Sequence, residues 1–200
     1  MTESKVWLRD GKSGNLIEAS LFDEVTPDHL ALWDRDWVPA MQAFCAGKPP
    51  GQKPGDSHWD WRRKSRAVTG MLGYHSSALL CGGELQGLML MNDITSARLR
   101  EQFGKPLLYV EFLATAPWNR PKLEDPPRYR GVGLVFILAA IEASHDAGFK
   151  GRVGLHSLPD AELFYGQRCG FAKLGTDSSH QNLTYFEMSE TQADAFRQNH

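Results

Sequence analysis

Cysteine is scarce in this sequence. Cys45, Cys81 and Cys169 are widely spaced in 200 residues, and none belongs to a CxxC pair. That pattern suggests neither a disulfide framework nor a zinc site, and the seven histidines include no HxH or HxxxH pair that would point to another metal. No metal site is therefore expected. Long apolar runs are missing too. The longest, "LVFILAAI" at residues 134–141, is far short of the ~20 residues that span a bilayer, and "MTESKVWLRDGKSG" has no apolar signal core. The expectation is a cytoplasmic protein with no membrane partner. A P-loop, GxxxxGK[ST], occurs nowhere, and a dinucleotide GxGxxG fails because Phe136 holds the third glycine position. A strongly basic balance is also absent, since the net charge is −2. Nucleic acid is thereby disfavoured as the principal partner.

What is present fits one globular domain: 42% hydrophobic and 23% charged side chains in a chain long enough to bury its own core. Charge is unevenly spread, with six basic against ten acidic residues over 1–60, eleven against six over 61–130, and five against eight beyond. A basic centre of that size can hold a small polyanion. The pattern predicts two short strands around a glycine turn in "KVWLRDGKSGNLIEAS". A helical region capped by Thr26 and interrupted near Pro39 follows, then a loop at "KPPGQKPGDS" and a short helix at "HWDWRRKSRAV". "SALLC" and "LQGLMLMN" read as a hairpin, and "PLLYVEFLATAP" as a long strand closed by Pro117. Residues 132–147 form a helix apolar on all sides for two turns, which implies burial, with Gly148 and Phe149 at its C-terminal cap. "GRVGLHS" then reads as a strand, "PDAELFYGQRCG" as a helix capped by Ser157, and "NLTYFEMS" as a last strand.

The segment "RYRGVGL", residues 128–134, stands at a strand-to-helix junction. A helix N-terminus exposes unpaired N–H groups and partial positive charge, a ready site for an anion such as phosphate. Gly131 and Gly133 let the backbone approach a ligand, and Arg128 and Arg130 add charge that does not titrate away. By itself the pair also reads as a simple turn.

Its surroundings resemble the GCN5-related N-acetyltransferase (GNAT) superfamily. In that family a strand of the type YxExLxVxP leads into [QR]xxGxG and a helix, and here "YVEFLATAP" leads to "RYRGVG". A second family block, a strand and helix ending in FYxxxGF, is set against "GRVGLHSLPDAELFYGQRCGF", so that the resemblance covers about residues 107–174. It implies an α/β (α+β) fold: a central mixed, mostly antiparallel sheet flanked by helices on both faces and splayed between the fourth and fifth strands. It also implies a single acetyltransferase domain over 1–200, with about 1–75 on the acceptor side and 107–174 as the acetyl-CoA-binding core. The long approach "PWNRPKLEDPPRY" departs from the family, as a substrate-facing loop or a tolerated insertion. So does Leu158, where many members place a cofactor-contacting Asn; Ser157 beside it is a possible substitute.

The family reaction is direct attack of an amine on the thioester of acetyl-CoA in a ternary complex. An alkyl amine of pKa about 10.4 is mostly protonated at pH 7, so freeing its lone pair costs about 4.6 kcal/mol, and a base is useful. Glu111, an acid within an apolar strand, is the candidate base; it alternatively faces solvent or pairs with an arginine. The resemblance aligns Tyr165 with the tyrosine that assists the departing thiolate, against the alternative of a core aromatic tied to backbone. It also implies that the backbone of Leu113, Ala114 and Thr115 pairs with pantetheine, and that Arg128, Arg130, Gly131, Val132, Gly133 and Leu134 surround the pyrophosphate. The same comparison places Arg168 near the other end of the cofactor. The partners implied are acetyl-CoA and a primary amine on a small molecule, peptide or protein, and a homodimer is compatible. The competing reading is an acyl-CoA-binding sensor or interaction module of the same fold. Acids such as Asp34 and Asp36 either attract a cationic acceptor or are solvated helix faces.

Overall fold

The computed structural model describes residues 2–200. Strands β1 (Glu3–Asp10) and β2 (Leu16–Phe22) pair antiparallel around the expected glycine turn. Helix α1 (Pro27–Leu32) starts at Thr26, whose hydroxyl accepts from the N–H of His29 while the His29 ring accepts from the N–H of Thr26. The expected break near Pro39 takes another form. A π turn over Trp33–Trp37 runs directly into α2 (Val38–Cys45), and Pro39 falls in the first turn of α2, where its missing N–H is least costly. Asp60 caps α3 (Trp61–Val68), which buries Trp61 and exposes Arg62 and Arg63.

The expected hairpin is β3 (Tyr74–Cys81) and β4 (Glu84–Ser96), followed by β5 (Pro106–Thr115). The glycine motif contributes a two-residue strand, β6 (Tyr129–Arg130), before α4 (Val132–Asp146). Helix α4 ends as its sequence demands: the N–H of Gly148 bonds to the His145 carbonyl and that of Phe149 to the Ser144 carbonyl, with Gly148 at φ 77°. Strands β7 (Val153–Ser157), β8 (Ala172–Asp177) and β9 (Leu183–Met188) precede α5 (Glu190–Asn199). Neither β8 nor α5 was legible in the sequence. β8 is a polar strand at the end of the sheet, bulged near Gly175, and α5 is mostly polar, burying Ala193 and Phe196.

The nine strands lie in the order β6-β1-β2-β3-β4-β5-β7-β9-β8. The sheet is mostly antiparallel, with β5 and β7 parallel. Their register runs from Leu108–Val153 to Val110–Leu155 and stops there, although β5 continues to Thr115. The expected splay is between the fourth and fifth strands; the parallel pairing that ends early in this chain joins the fifth and seventh. The chain divides into two compact units. The first comprises residues 1–71, 75–90 and 113–135, and the second residues 72–74, 91–112 and 136–200.

Two sequence expectations change around residues 157–171. Ser157 does not cap a helix; Leu158 holds that position before a tight turn at Pro159–Ala161, and the Ser157 hydroxyl donates to the Leu158 carbonyl at 2.8 Å. The block "FYGQRCGF" has four residues between Tyr165 and Gly170, one more than FYxxxGF allows. The extra residue is absorbed by a π turn over Phe164–Arg168, closed by the Cys169 N–H on the Phe164 carbonyl at 2.9 Å.

Candidate functional site

In the first unit the insertion after β5 is folded back onto the sheet. Gln86, fully buried on β4, is the anchor: its Oε1 accepts from Trp118 Nε1 and Asn119 Nδ2, both at 2.9 Å, and its Nε2 donates to the carbonyls of Cys81 and Glu84. The N–H of Arg128 bonds to the Trp118 carbonyl at 2.8 Å, and that of Tyr129 to Asn119 Oδ1 at 2.9 Å. The glycine motif is therefore brought back beside the start of the insertion, and β6 pairs with the end of β1.

At that point Gly131 adopts φ +97°, a conformation that L side chains rarely take, although an added Cβ would meet open space. Glycine is needed here for the bend of the chain. The Gly131 carbonyl accepts from the N–H of Val135 at 3.0 Å, which makes it the cap of α4. Having no side chain, it caps nothing itself. Among the described residues the N–H groups of Val132, Gly133 and Leu134 meet no acceptor, and the first turn holds no acid. This is an open anion-binding terminus. The two arginines differ. Arg130 is exposed, whereas Arg128 pairs with Glu84 Oε2 at 2.5 Å and lies over the Trp118 ring at 4.8 Å, so it reaches an anion at α4 only by leaving those partners.

Of the expected pantetheine contacts, the Thr115 carbonyl is already engaged. Arg120 from the insertion donates to it through Nε at 2.9 Å and Nη2 at 2.7 Å, and grips Asp56 with two bonds of 2.7 Å. A carbonyl offers two lone pairs, so a ligand amide at Thr115 has to displace this guanidinium. The sequence reading missed Arg120 because nothing in "PWNRPKLEDPP" shows that it doubles back.

In the second unit Glu111 is half-buried. Asn92, itself buried, donates to its Oε1 at 3.0 Å, and the Tyr74 hydroxyl also bonds to it, so the carboxylate is held without an arginine partner among the described residues. Tyr165 is buried against Phe171 and Phe186, and its hydroxyl has no hydrogen-bond partner among the described residues. Burial pushes its pKa well above the ordinary tyrosine value. Arg168 is exposed on the same π turn. Beyond these lies a chain that the sequence reading did not assemble. The Tyr109 hydroxyl bonds to His156 Nδ1 at 2.6 Å, His156 Nε2 to Asp177 Oδ2 at 3.0 Å, and the His180 ring stacks on His156 at 3.9 Å. The ligand-type atoms of His156, Asp177 and His180 lie within 4.8 Å of one another. Arg98 already bonds to Asp177 Oδ2 at 2.6 Å, and Ser179 takes Oδ1 through both N–H and hydroxyl, so the carboxylate's charge is matched by a cation already in place.

No family model and no curated protein sequence matches the chain. Solved structures do. The PaiA N-acetyltransferase from Thermoplasma acidophilum in complex with coenzyme A superposes with a TM-score of 0.55 at 12% identity, over 86% of this chain and 98% of that one. FeeM, an N-acyl amino acid synthase from uncultured soil microbes, gives 0.56 at 11% identity, over 88% and 93%. The GNAT domain of S. lividans PAT gives 0.54 at 14% identity, over 93% and 96%. This chain has the GNAT fold. The Ser157 hydroxyl, the expected substitute for the missing Asn, is turned onto its own chain. No helix of the described residues is long and apolar enough to cross a membrane.

Proposed function

We propose that the chain is an acetyl-CoA-dependent N-acetyltransferase, acting in the cytoplasm on a primary amine by direct attack in a ternary complex. The observation that carries this reading is the open terminus of α4: a glycine at φ +97° followed by three N–H groups without acceptors. Val132, Gly133 and Leu134 offer those groups to the pyrophosphate, and Arg130 adds charge. Leu113, Ala114 and Thr115 offer backbone to pantetheine, the last once Arg120 withdraws. Glu111, oriented by Asn92 and Tyr74, accepts the ammonium proton of the acceptor directly or through water. The neutral amine attacks the thioester carbon, the C–N bond forms, the C–S bond breaks and thiolate leaves; the proton still carried by the new amide nitrogen passes to that thiolate, directly or through water, giving amide and free thiol. Tyr165 meets that thiolate as a hydrogen-bond donor. Its raised pKa makes full proton transfer to a thiolate of ordinary pKa about 8.5 uphill, so it stabilises the sulfur without giving up its proton.

The test is thiol release from acetyl-CoA across a panel of primary amines, run beside thermal melts with coenzyme A. Turnover that falls strongly in Glu111→Gln supports the proposal. A rise in melting temperature with coenzyme A but no acceptor consumed favours a sensor, and no shift at millimolar coenzyme A overturns the cofactor assignment.

A further inference from the structure

The first unit contains a cavity of about 420 Å³, a size typical of small-molecule sites. Four tryptophans, Trp33, Trp37, Trp59 and Trp61, line it beside Met41. The wall is also fixed in shape. Trp37 is buried and donates through Nε1 to the Leu85 carbonyl at 2.9 Å, and Trp59 stands edge-on to buried Trp61 with ring centroids 6.3 Å apart. Ala114 and Pro117, at the end of β5, open onto the same space. Its electrostatics select further. Among the described residues Asp56 is the one carboxylate in the wall, and both its oxygens are taken by Arg120. The other acids of this region are engaged elsewhere, Asp34 with Arg62 and Asp36 with Arg35. Lys53 and His58 lie at the lining.

We infer that this cavity binds the uncharged apolar body of a substrate, with aromatic rings preferred. Tryptophan faces give flat, polarisable contact area, and a wall whose acid is already paired gives an ammonium no carboxylate to pair with. The inference rests on reading β5 as the donor-binding strand, and it narrows the substrate class to molecules that carry a bulky apolar group near the transferred acyl unit. That group belongs either to the amine or to the acyl chain, and the two sources are separable.

Cys45 lines the cavity and is the least buried of the three thiols, so it serves as a reporter. Maleimide labelling of Cys45 is followed by peptide mass analysis in the intact protein. Indole is expected to slow it about tenfold, an effect that needs no acyl-CoA. With acetyl-CoA, a kcat/KM for naphthylethylamine about a hundredfold above that for ethylamine assigns the cavity to the acceptor. A matching preference for lauroyl-CoA over acetyl-CoA, with ethylamine fixed, assigns it to the acyl chain. In either case Cys45→Trp, which fills the space, and Trp33→Ala, which removes a wall, collapse the preference towards unity. The inference is overturned if indole and naphthylethylamine leave Cys45 labelling unchanged and neither preference exists in the wild type. If indole protects Cys45 while coenzyme A fails to shift the melting temperature, the cavity stands and the acetyltransferase reading falls. If acetyl transfer proceeds without protection or preference, the cavity inference alone falls.

Discussion

Glu111 and Tyr165 are held in opposite ways, and their substitutions separate cleanly. Glu111 accepts from Asn92 at 3.0 Å, so Glu111→Gln keeps the shape of that contact while removing the base. We expect kcat to fall about a hundredfold or more, with the KM for acetyl-CoA little changed, measured by thiol release. Tyr165→Phe removes a hydroxyl with no partner among the described residues and keeps the ring against Phe171 and Phe186. Thermal melting should move little while kcat falls about tenfold, and a large drop in melting temperature would show the tyrosine to be structural instead. Glu111 was legible as an acid in an apolar strand and Tyr165 as part of a spaced block. Their partners were not, because Asn92 and Tyr74 come from β4 and β3 and meet Glu111 only through the pairing of strands.

Elements read from local pattern were found where that pattern is strong. The Thr26 cap, the glycine turn after β1, the all-round apolar α4 and its Gly148 terminus each follow from a few neighbouring residues. β8 and the π turn over Phe164–Arg168 were missed for a physical reason: an edge strand need not alternate strongly, and a one-residue surplus has no signature until the hydrogen bonds are seen. Gly131 is the position where element geometry and chemistry meet. Gly131→Ala forces a Cβ into φ +97° and should cost about 1–2 kcal/mol in urea unfolding. It should also weaken coenzyme A binding by calorimetry, with the affinity of the wild type falling as salt is raised. The insertion after β5 was legible as a departure from the family pattern and silent about its path. That path is set by Gln86, so Gln86→Leu, which strands the Trp118 indole and the Asn119 amide, should cost about 3 kcal/mol.

For the molecule as a whole, acid should act in two stages. His29 and His156 are held below the ordinary histidine value, chiefly by burial, while both return to about 6.5 when the chain unfolds. The unfolded chain then takes up protons first, so stability is full above about pH 6.5 and declines as pH falls below it. Asp177 is held far below the carboxylate range by Ser179 and Arg98, and its contribution is lost only as pH falls below about 4. Melting temperatures across pH should be flat from about 8 to 7 and slope below 6.5, with a shallower slope in His156→Gln. Arg120 ties these scales together. Its guanidinium covers the Thr115 carbonyl and neutralises Asp56 at once. Under the proposed function, a donor that claims the Thr115 carbonyl takes one of the guanidinium's two partners and leaves it the Asp56 carboxylate alone. Arg120→Leu both uncovers that carbonyl and strands the carboxylate, so coenzyme A affinity should rise while the protection of Cys45 by indole falls.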